Sequence, residues 1–308
     1  MRWRTNRQLE WRERVLDRRD FIVSALTAIA WPGAISAWGT AGATQRAKHR
    51  LAEIEQRVGG RLGVVAVDIG KGKRLAYRAT ERFPMCSTFK WLLAAQVLSR
   101  ADRGEEQLER YVPYGPGDLL DYAPVTREHA SEGALSVSAL CAAAVRYSDN
   151  TAANLLLGTV GGPSGFTTFV RSVGDPVTRL DRLEPELNRA TPGDPRDTTT
   201  PGAMVGDLRR VLLGSVLFKR SRKQLQNWLV GHTMGAAKLR AGLPEDWRVG
   251  DKSGMGANGA TNDVAIAWPT QGPPLLIAAY LTESAAQVSE RNAALADIGR
   301  LVAEWAAG

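Results

Sequence analysis

The sequence predicts an α+β fold: one antiparallel five-stranded sheet flanked by helices, built from both chain ends, with an all-helical domain inserted between them. Three observations carry this. Short apolar, β-branched runs fall near both ends, the Ala/Leu-rich middle has helical spacing, and an amphipathic stripe flanks the strands on each side. From the N-terminal side, Leu51, Ile54 and Val58 recur at helical spacing, and Gly59-Gly60 stops that helix. Leu62 to Ile69 is apolar and β-branched, Lys71-Gly72-Lys73 turns the chain, and Arg74 to Arg78 resumes, which is a hairpin pattern. Val137–Arg146 and Thr151–Leu157 typify the helical middle. Three further strand candidates follow: Arg248–Lys252, Asp263–Trp268 and Leu275–Thr282. A closing helix then places Leu295, Ile298, Leu301, Val302 and Trp305 on one stripe. The expected division is residues 1–43 as an export signal, 44–80 with 230–308 as an α/β domain, and 81–229 as the helical domain. A cleft between such lobes suits a small-molecule site.

Composition narrows the class. The 308 residues carry a formal charge of +8, 44% hydrophobic and 23% charged residues, as an ordinary globular chain does. Seven arginines against four acids in residues 1–43 account for three of those charges, so the rest of the chain is only mildly basic. No block of Lys/Arg interleaves with aromatics, which argues against a nucleic-acid partner. Arg18-Arg19 precedes an uncharged run from Phe21 to Gln45, and Ala41-Gly42-Ala43 offers a small-x-small cleavage site. The expectation is twin-arginine export to the periplasm or the medium, cleavage after Ala43 and no stable membrane association afterwards. Pro32-Gly33 interrupts the run, so it would span a bilayer only marginally. Cys86 and Cys141 form neither a disulfide framework nor a metal signature. His49, His129 and His232 lack ligand spacing and are read as surface or packing residues. No metal and no cofactor is expected.

Four segments carry chemistry. Ser87-Thr88-Phe89-Lys90 opens an apolar helix, Trp91–Leu98. Residues three apart share a helix face, so the Lys90 amine reaches the Ser87 hydroxyl. A serine hydroxyl attacks only when a base takes its proton, and an amine is a base only when burial or nearby cations keep it neutral. A helix N-terminus also aims backbone N–H groups at a developing oxyanion. Ser148-Asp149-Asn150 lies between two helices and, taken alone, is an N-cap. Lys252-Ser253-Gly254 lies on a strand and offers a cation and a hydroxyl to a carboxylate, while Gly254 admits a ligand to the backbone. Arg182 to Asn188 (Arg-Leu-Glu-Pro-Glu-Leu-Asn) contains Glu184, which alone would be a surface acid.

Together, and in this order, the segments resemble those of class A serine β-lactamases. The fourth separates that family from penicillin-binding proteins, because it resembles the loop that holds the hydrolytic water. Similarity extends to Tyr122–Thr126, Asn150–Leu157, Asp197–Pro201 and Thr261–Asp263, and covers residue 47 to the end. The resemblance implies a monomeric hydrolase of β-lactam antibiotics, a source of resistance, that works through an acyl-enzyme. Ser87 would be the nucleophile, with Lys90 or Glu184 taking its proton. Backbone N–H groups of Ser87 and Met255 would hold the oxyanion. Ser148 would protonate the departing nitrogen, Asn150 would bind the acylamide side chain, and Lys252, Ser253 and Gly254 would border the carboxylate. Tyr114 would line the entrance, while Glu184 and Asn188 would activate water. Arg182 and Asp197 match the pair that closes the loop.

Departures from the family bear on substrate range. Ser253 stands where Thr is usual, and Met255 where Ala, Ser or Thr is commoner. Two family disulfides are excluded, since Cys141 faces Ala94 and Cys86 faces Gly256 at the matching positions, so both cysteines are expected to be free. The family's carboxylate-supporting arginine is replaced by Thr261 at one place and Lys238 at the other. Lys238 either takes over that role or is a solvated lysine, with Arg240 turned into packing. The rival functions are a cell-wall DD-peptidase and a β-lactam-binding module that acylates without turnover.

Overall fold

The computed structural model describes residues 32–308, and side chains from Gly42 onward. The expected export motif at Arg18-Arg19 lies outside the described residues. In chain order the elements are α1 (Pro32–Val58), β1 (Arg61–Asp68), β2 (Arg74–Tyr77), β3 (Phe83–Pro84), α2 (Phe89–Asp102) and β4 (Tyr111–Pro113). There follow α3 (Pro124–Glu128), β5 (Ala134–Ser136), α4 (Val137–Arg146), α5 (Asn150–Thr159), α6 (Gly162–Ser172) and β6 (Thr198–Thr199). The chain ends with α7 (Pro201–Leu212), α8 (Lys219–Val230), α9 (Leu239–Gly242), β7 (Arg248–Met255), β8 (Thr261–Trp268), β9 (Leu275–Thr282) and α10 (Val288–Ala307).

The main sheet has five antiparallel strands in the order β2-β1-β9-β8-β7, so the first hairpin joins the last three strands through β1 and β9. Both faces are covered, and the period-two alternation of a strand sorts residues between two cores. Val65, Val264, Ile266, Leu276, Ala278 and Tyr280 face the helical side. Their neighbours Val64, Ala66, Ala265, Ala267, Ile277 and Ala279 face α1 and α10. Every residue of β9 is buried, as a central strand between two layers must be. On the outer face, Leu51, Ile54 and Val58 of α1 meet Leu295, Ile298 and Val302 of α10, the two stripes read from the sequence. Gly242 and Gly299 let α9 and α10 touch: a Cβ on Gly242 would lie 1.7 Å from the Ala296 carbonyl oxygen.

Helix α2 is the axis of the helical side. All residues from Phe89 to Ser99 are buried, and only Lys90, Gln96 and Ser99 among them are polar, so the helix is apolar nearly all round. The inserted segment is not wholly helical, which corrects the expectation. β4 pairs with β5, and β3 pairs with β6, in ladders of three and two residues. Such short runs leave no period to read. Strands β7 and β8 also run farther than expected, to Met255 and from Thr261, because these two residues are themselves partners in the ladder. Helix α7, inside the inserted segment, lies against the sheet: a Cβ on Gly63 of β1 would meet Pro201 at 2.9 Å and the Phe83 ring at 2.4 Å. Both cysteines are free and buried.

Candidate active site

Ser87 lies in a 3-10 turn, Cys86–Thr88, that runs directly into α2. The turn is held from outside. Thr88 Oγ1 donates to the Met85 carbonyl at 2.8 Å, and Asn262 Nδ2 of β8 donates to the carbonyls of Pro84 (2.8 Å) and Met85 (3.2 Å). Cys86 has φ 46°, the left-handed region, so the turn is strained just before the serine. β7 passes so close that a Cβ on Gly254 would lie 2.8 Å from the Met85 carbonyl oxygen and 3.1 Å from the Ser87 nitrogen. Gly254 also borders a cavity lined by Ser87, so its missing Cβ makes room for the serine turn as well as for a ligand.

One helical turn beyond Ser87, the fully buried Lys90 Nζ lies 3.0 Å from Ser87 Oγ. It also donates to the Ser148 carbonyl at 2.8 Å and to Asn150 Oδ1 at 2.6 Å, and it pairs with Glu184 Oε1 at 2.9 Å. Ser148 has φ 60°, and that conformation turns its carbonyl to Lys90 while its hydroxyl faces Lys252 Nζ at 3.1 Å. Asp149 is the N-cap of α5, accepting from the Ala152 N–H at 2.8 Å. Its other oxygen accepts from the Val125 and Thr126 N–H groups, so this carboxylate is committed to structure.

The segment from Arg182 to Asp197 brings Glu184 to the serine. Asp197 accepts from Arg182 Nε at 2.5 Å and from the Asp181 and Arg182 backbone N–H groups at 2.7 and 2.9 Å. Asn154 of α5 clamps the Glu184 backbone twice, taking its N–H at 3.0 Å and donating to its carbonyl at 2.9 Å. The Glu184 carboxylate then lies 3.4 Å from Ser87 Oγ through Oε1, and Asn188 Nδ2 donates to Oε2.

On the opposite wall, Lys252 is fully buried and donates to the Ser253 carbonyl at 2.7 Å. Burial, and next the charge of Lys90, push its ammonium well below the usual lysine range. Lys238 is buried too, so it is not a solvated lysine; Nζ donates to the Met234 carbonyl at 2.9 Å, and burial lowers its pKa. Arg240 is indeed turned into packing, where it holds the buried Asp251 carboxylate. Burial pushes the Cys86 thiol up, which leaves it an inert neighbour of Ser87.

These walls enclose a cavity of about 260 Å³. Ser87, Ser148, Asn150, Asn188 and Lys238 line it together with Ser253, Gly254 and Met255, while Lys90, Glu184 and Lys252 are buried within bonding distance of the lining groups. A larger hollow of about 440 Å³, by Asp68, Trp247 and Pro273, gathers no nucleophile and base. Tyr114 is corrected. It is buried, its hydroxyl donates to the Thr126 carbonyl at 2.8 Å, and the tyrosine on the cavity is Tyr122. Tyr122 and Met234 meet at the mouth, hydroxyl to Sδ, at 3.4 Å. Asn154, Asn262 and His232 were also missed as site residues. The first two lie in segments already matched to the family, and His232 opens the stretch, likewise aligned with the family, that ends on Lys238, so those matches were the available signal.

Residues 46–306 match the β-lactamase enzyme family. The chain is 52% identical over 252 residues to β-lactamase L2 of Stenotrophomonas maltophilia, covering 82% of this chain and 83% of that one. The chain belongs to the class A β-lactamase family. β-Lactamase AST-1 of Nocardia asteroides is 44% identical over 297 residues, covering 94% and 96% of the two chains. Among solved structures, an ancestral class A β-lactamase superposes with a TM-score of 0.83 at 57% identity, covering 84% of this chain and 99% of that one. The putative class A β-lactamase PenP from Rhodopseudomonas palustris superposes with a TM-score of 0.82 at 49% identity, with coverages of 84% and 99%. The family shares the expected sheet and helices, and it makes this chain a β-lactam hydrolase.

Removing one partner of a buried ion pair leaves the other charge uncompensated and costs about 3–5 kcal/mol. Asp197→Ala is expected to fall at the low end, about 3 kcal/mol, because Arg182 keeps some contact with water. Denaturant unfolding should show the loss, and hydrogen exchange at Leu187 and Asn188 should quicken. Unchanged protection there would mean that the pair does not hold the loop.

Proposed function

We propose that β-lactam hydrolysis runs on Ser87, with Glu184 as the group that takes its proton, directly or through a water, and later activates the hydrolytic water. The observation that carries this is the placing of Ser87 Oγ between Lys90 Nζ (3.0 Å) and Glu184 Oε1 (3.4 Å), with Asn188 on the far carboxylate oxygen. Lys90 faces a carbonyl, an amide oxygen, a carboxylate and the serine oxygen. The carbonyl, the amide oxygen and the carboxylate can only accept, so Lys90 is turned toward them as a donor. It lowers the cost of the serine alkoxide by charge, and the carboxylate is the free base.

In this reading Ser87 Oγ attacks the lactam carbonyl carbon as its proton passes to Glu184. Backbone N–H groups of Ser87 and Met255 hold the oxyanion, each worth about 2.7–4 kcal/mol in such sites. The C–N bond breaks as Ser148, beside Lys252, passes its hydroxyl proton to nitrogen. Ser148 is reprotonated with the proton that Glu184 took, relayed by Lys90, which frees the carboxylate for deacylation. Water then attacks the ester while Glu184 takes its proton, and that proton returns to Ser87 Oγ as the acid leaves. Asn150 binds the acylamide side chain. Lys252 and Ser253 hold the carboxylate, and Lys238 supports them from beneath, less rigidly than an arginine's planar fork would. Met255 is 42% exposed, so its side chain lies at the rim and leaves its backbone to the oxyanion. A DD-peptidase would share the serine and both lysines; the Glu184–Asn188 pair favours hydrolysis.

Benzylpenicillin with intact-mass detection tests the reading. Ser87→Ala should neither acylate nor turn over, and Glu184→Gln, which loses the base of both steps, should acylate slowly and then hold a long-lived adduct. A Glu184→Gln protein that returns rapidly to its free mass would move the hydrolytic base elsewhere.

Carboxylate recognition needs a charged Lys252. Its pKa is depressed, so the ammonium is present at low pH and is lost as pH rises, ahead of an ordinary lysine. KM for benzylpenicillin should therefore climb with pH before about 10 while kcat changes less. A flat KM to that point would show that Lys252 keeps its proton.

Export through the twin-arginine route with cleavage after Ala43 belongs to the same proposal. Thr44, the first residue beyond that cut, already accepts a hydrogen bond from Trp305 Nε1 at 3.1 Å, and the packed seam begins at Ala47. Among the described residues no helix is long and apolar enough to cross a membrane. Since one chain supplies every group named above, the working unit proposed is a monomer, checked by light scattering. Arg18-Arg19 replaced by Lys-Lys should trap the precursor inside the cell; normal export would refute the route.

A further inference from the structure

His232 lies buried beside β7, and the reaction above gives it no part. Its partners fix its tautomer. Nδ1 is 3.1 Å from the Arg146 carbonyl oxygen, which can only accept, so Nδ1 carries the hydrogen. Nε2 bears the lone pair, and the Ser253 backbone N–H donates into it at 3.2 Å. Burial, and then the charge of Lys252, hold the imidazole down to about 2, so it is neutral at any working pH. Asp251 Oδ2 is 3.9 Å from Nε2, beyond hydrogen-bond distance, and Arg240 holds the other oxygen of that carboxylate.

Ser253 Oγ lies 2.9 Å from the same Nε2. A lone pair only accepts, so the Ser253 hydroxyl donates, and its hydrogen points at His232 instead of the cavity. We propose that His232 sets the affinity of the site for carboxylates: it holds the Ser253 hydroxyl hydrogen in the empty site, and a substrate carboxylate must take that hydrogen from it. The inference rests on the reading that Ser253 meets the substrate carboxylate.

The exchange favours the ligand, because a hydrogen bond to a charged acceptor is about twice as strong as one between neutral groups. Nε2 keeps the Ser253 N–H throughout, so the exchange orphans no backbone donor. What the ligand gains is nevertheless reduced by the bond that His232 gives up. That reduction applies equally to the ground state, the transition state and a carboxylate-bearing product, so it raises KM and eases release without touching kcat.

The test measures KM and kcat for benzylpenicillin in the whole protein and in two variants. His232→Asn keeps a donor for Arg146 but is too short to reach Ser253, whereas His232→Gln puts an acceptor oxygen where Nε2 stood. His232→Asn should lower KM about fivefold, the worth of one neutral hydrogen bond, with kcat little changed. His232→Gln should leave KM near that of the unsubstituted protein. A residue that only supports the fold would give the opposite sign, so an unchanged or raised KM in a folded His232→Asn protein overturns the proposal. Absence of turnover in the unsubstituted protein would instead defeat the hydrolase reading. A measurement without any change at His232 stands beside these. In Glu184→Gln carrying the penicilloyl adduct, the ¹⁵N resonance of Nε2 should move downfield as it drops from two donors to one. An unmoved resonance would overturn the proposal as well.

Discussion

Burying the Lys90 ammonium obliges the chain to bring oxygen atoms to it from several directions, and much of the molecule's organisation follows from meeting that demand. An isolated charge in a protein interior is too costly to persist, so it must be paired and hydrogen-bonded. Here the Ser87 hydroxyl comes from the turn before α2, the Ser148 carbonyl and Asn150 amide from the start of α5, and the Glu184 carboxylate from the loop pinned by Asp197. None of these segments is near another in sequence. The positive φ of Ser148, the cap by Asp149 and the double clamp by Asn154 are the local means by which each oxygen is held toward the charge. A mechanism that needs a serine between a cation and a carboxylate thereby coincides with the requirement of the fold that the cation not be left alone.

The second constraint is the closeness of β7 to the serine turn. Gly254 has no space for a Cβ, and a Cβ on Gly256 would lie 2.7 Å from Cys86 Sγ. The serine turn and β7, whose N–H groups are the proposed oxyanion donors, are therefore packed at van der Waals distance, and Asn262 of β8 ties the turn in place. A donor pair held this way needs no reorganisation when charge develops, which is where such sites derive most of their effect. The same contact keeps Cys86 wholly buried and without a disulfide partner.

How far the sequence discloses this differs from element to element. The five sheet strands were legible because each is long enough to show its period, and α1 and α10 because their stripes span several turns. Ser87 and Lys90 were legible because a three-residue spacing on a helix is itself a distance. The short strands β3 to β6 were not, since two or three residues carry no period and their partners lie far along the chain. Tyr114 shows the limit for a site: a tyrosine in a loop reads alike whether its hydroxyl meets water or the Thr126 carbonyl, and it is Tyr122, at the head of a family-matched segment, that lies on the cavity. Lys238 was legible only as two alternatives, a site residue or a solvated one, because burial cannot be inferred from a lysine in a Gly/Ala stretch; the structure buries it on the cavity.

His232 marks where residue types cease to inform and contacts begin. Read as one of three scattered histidines, it had no spacing to interpret. In the fold it reaches Ser253 through both the backbone N–H and the hydroxyl, and it reaches the Arg146 carbonyl at the end of α4, so it spans the joint between sheet and helices. Another cation at that place would add to Lys252, Lys238 and Arg240 with only Asp251 and Asp263 to answer them, and both of these acids are themselves pushed upward by burial. A neutral imidazole fills the space, satisfies a buried carbonyl and a buried N–H, and adds no charge. The wall formed by Lys252 and Lys238 is thus left with few acids to answer its cations, which suits the substrate carboxylate proposed to bind there.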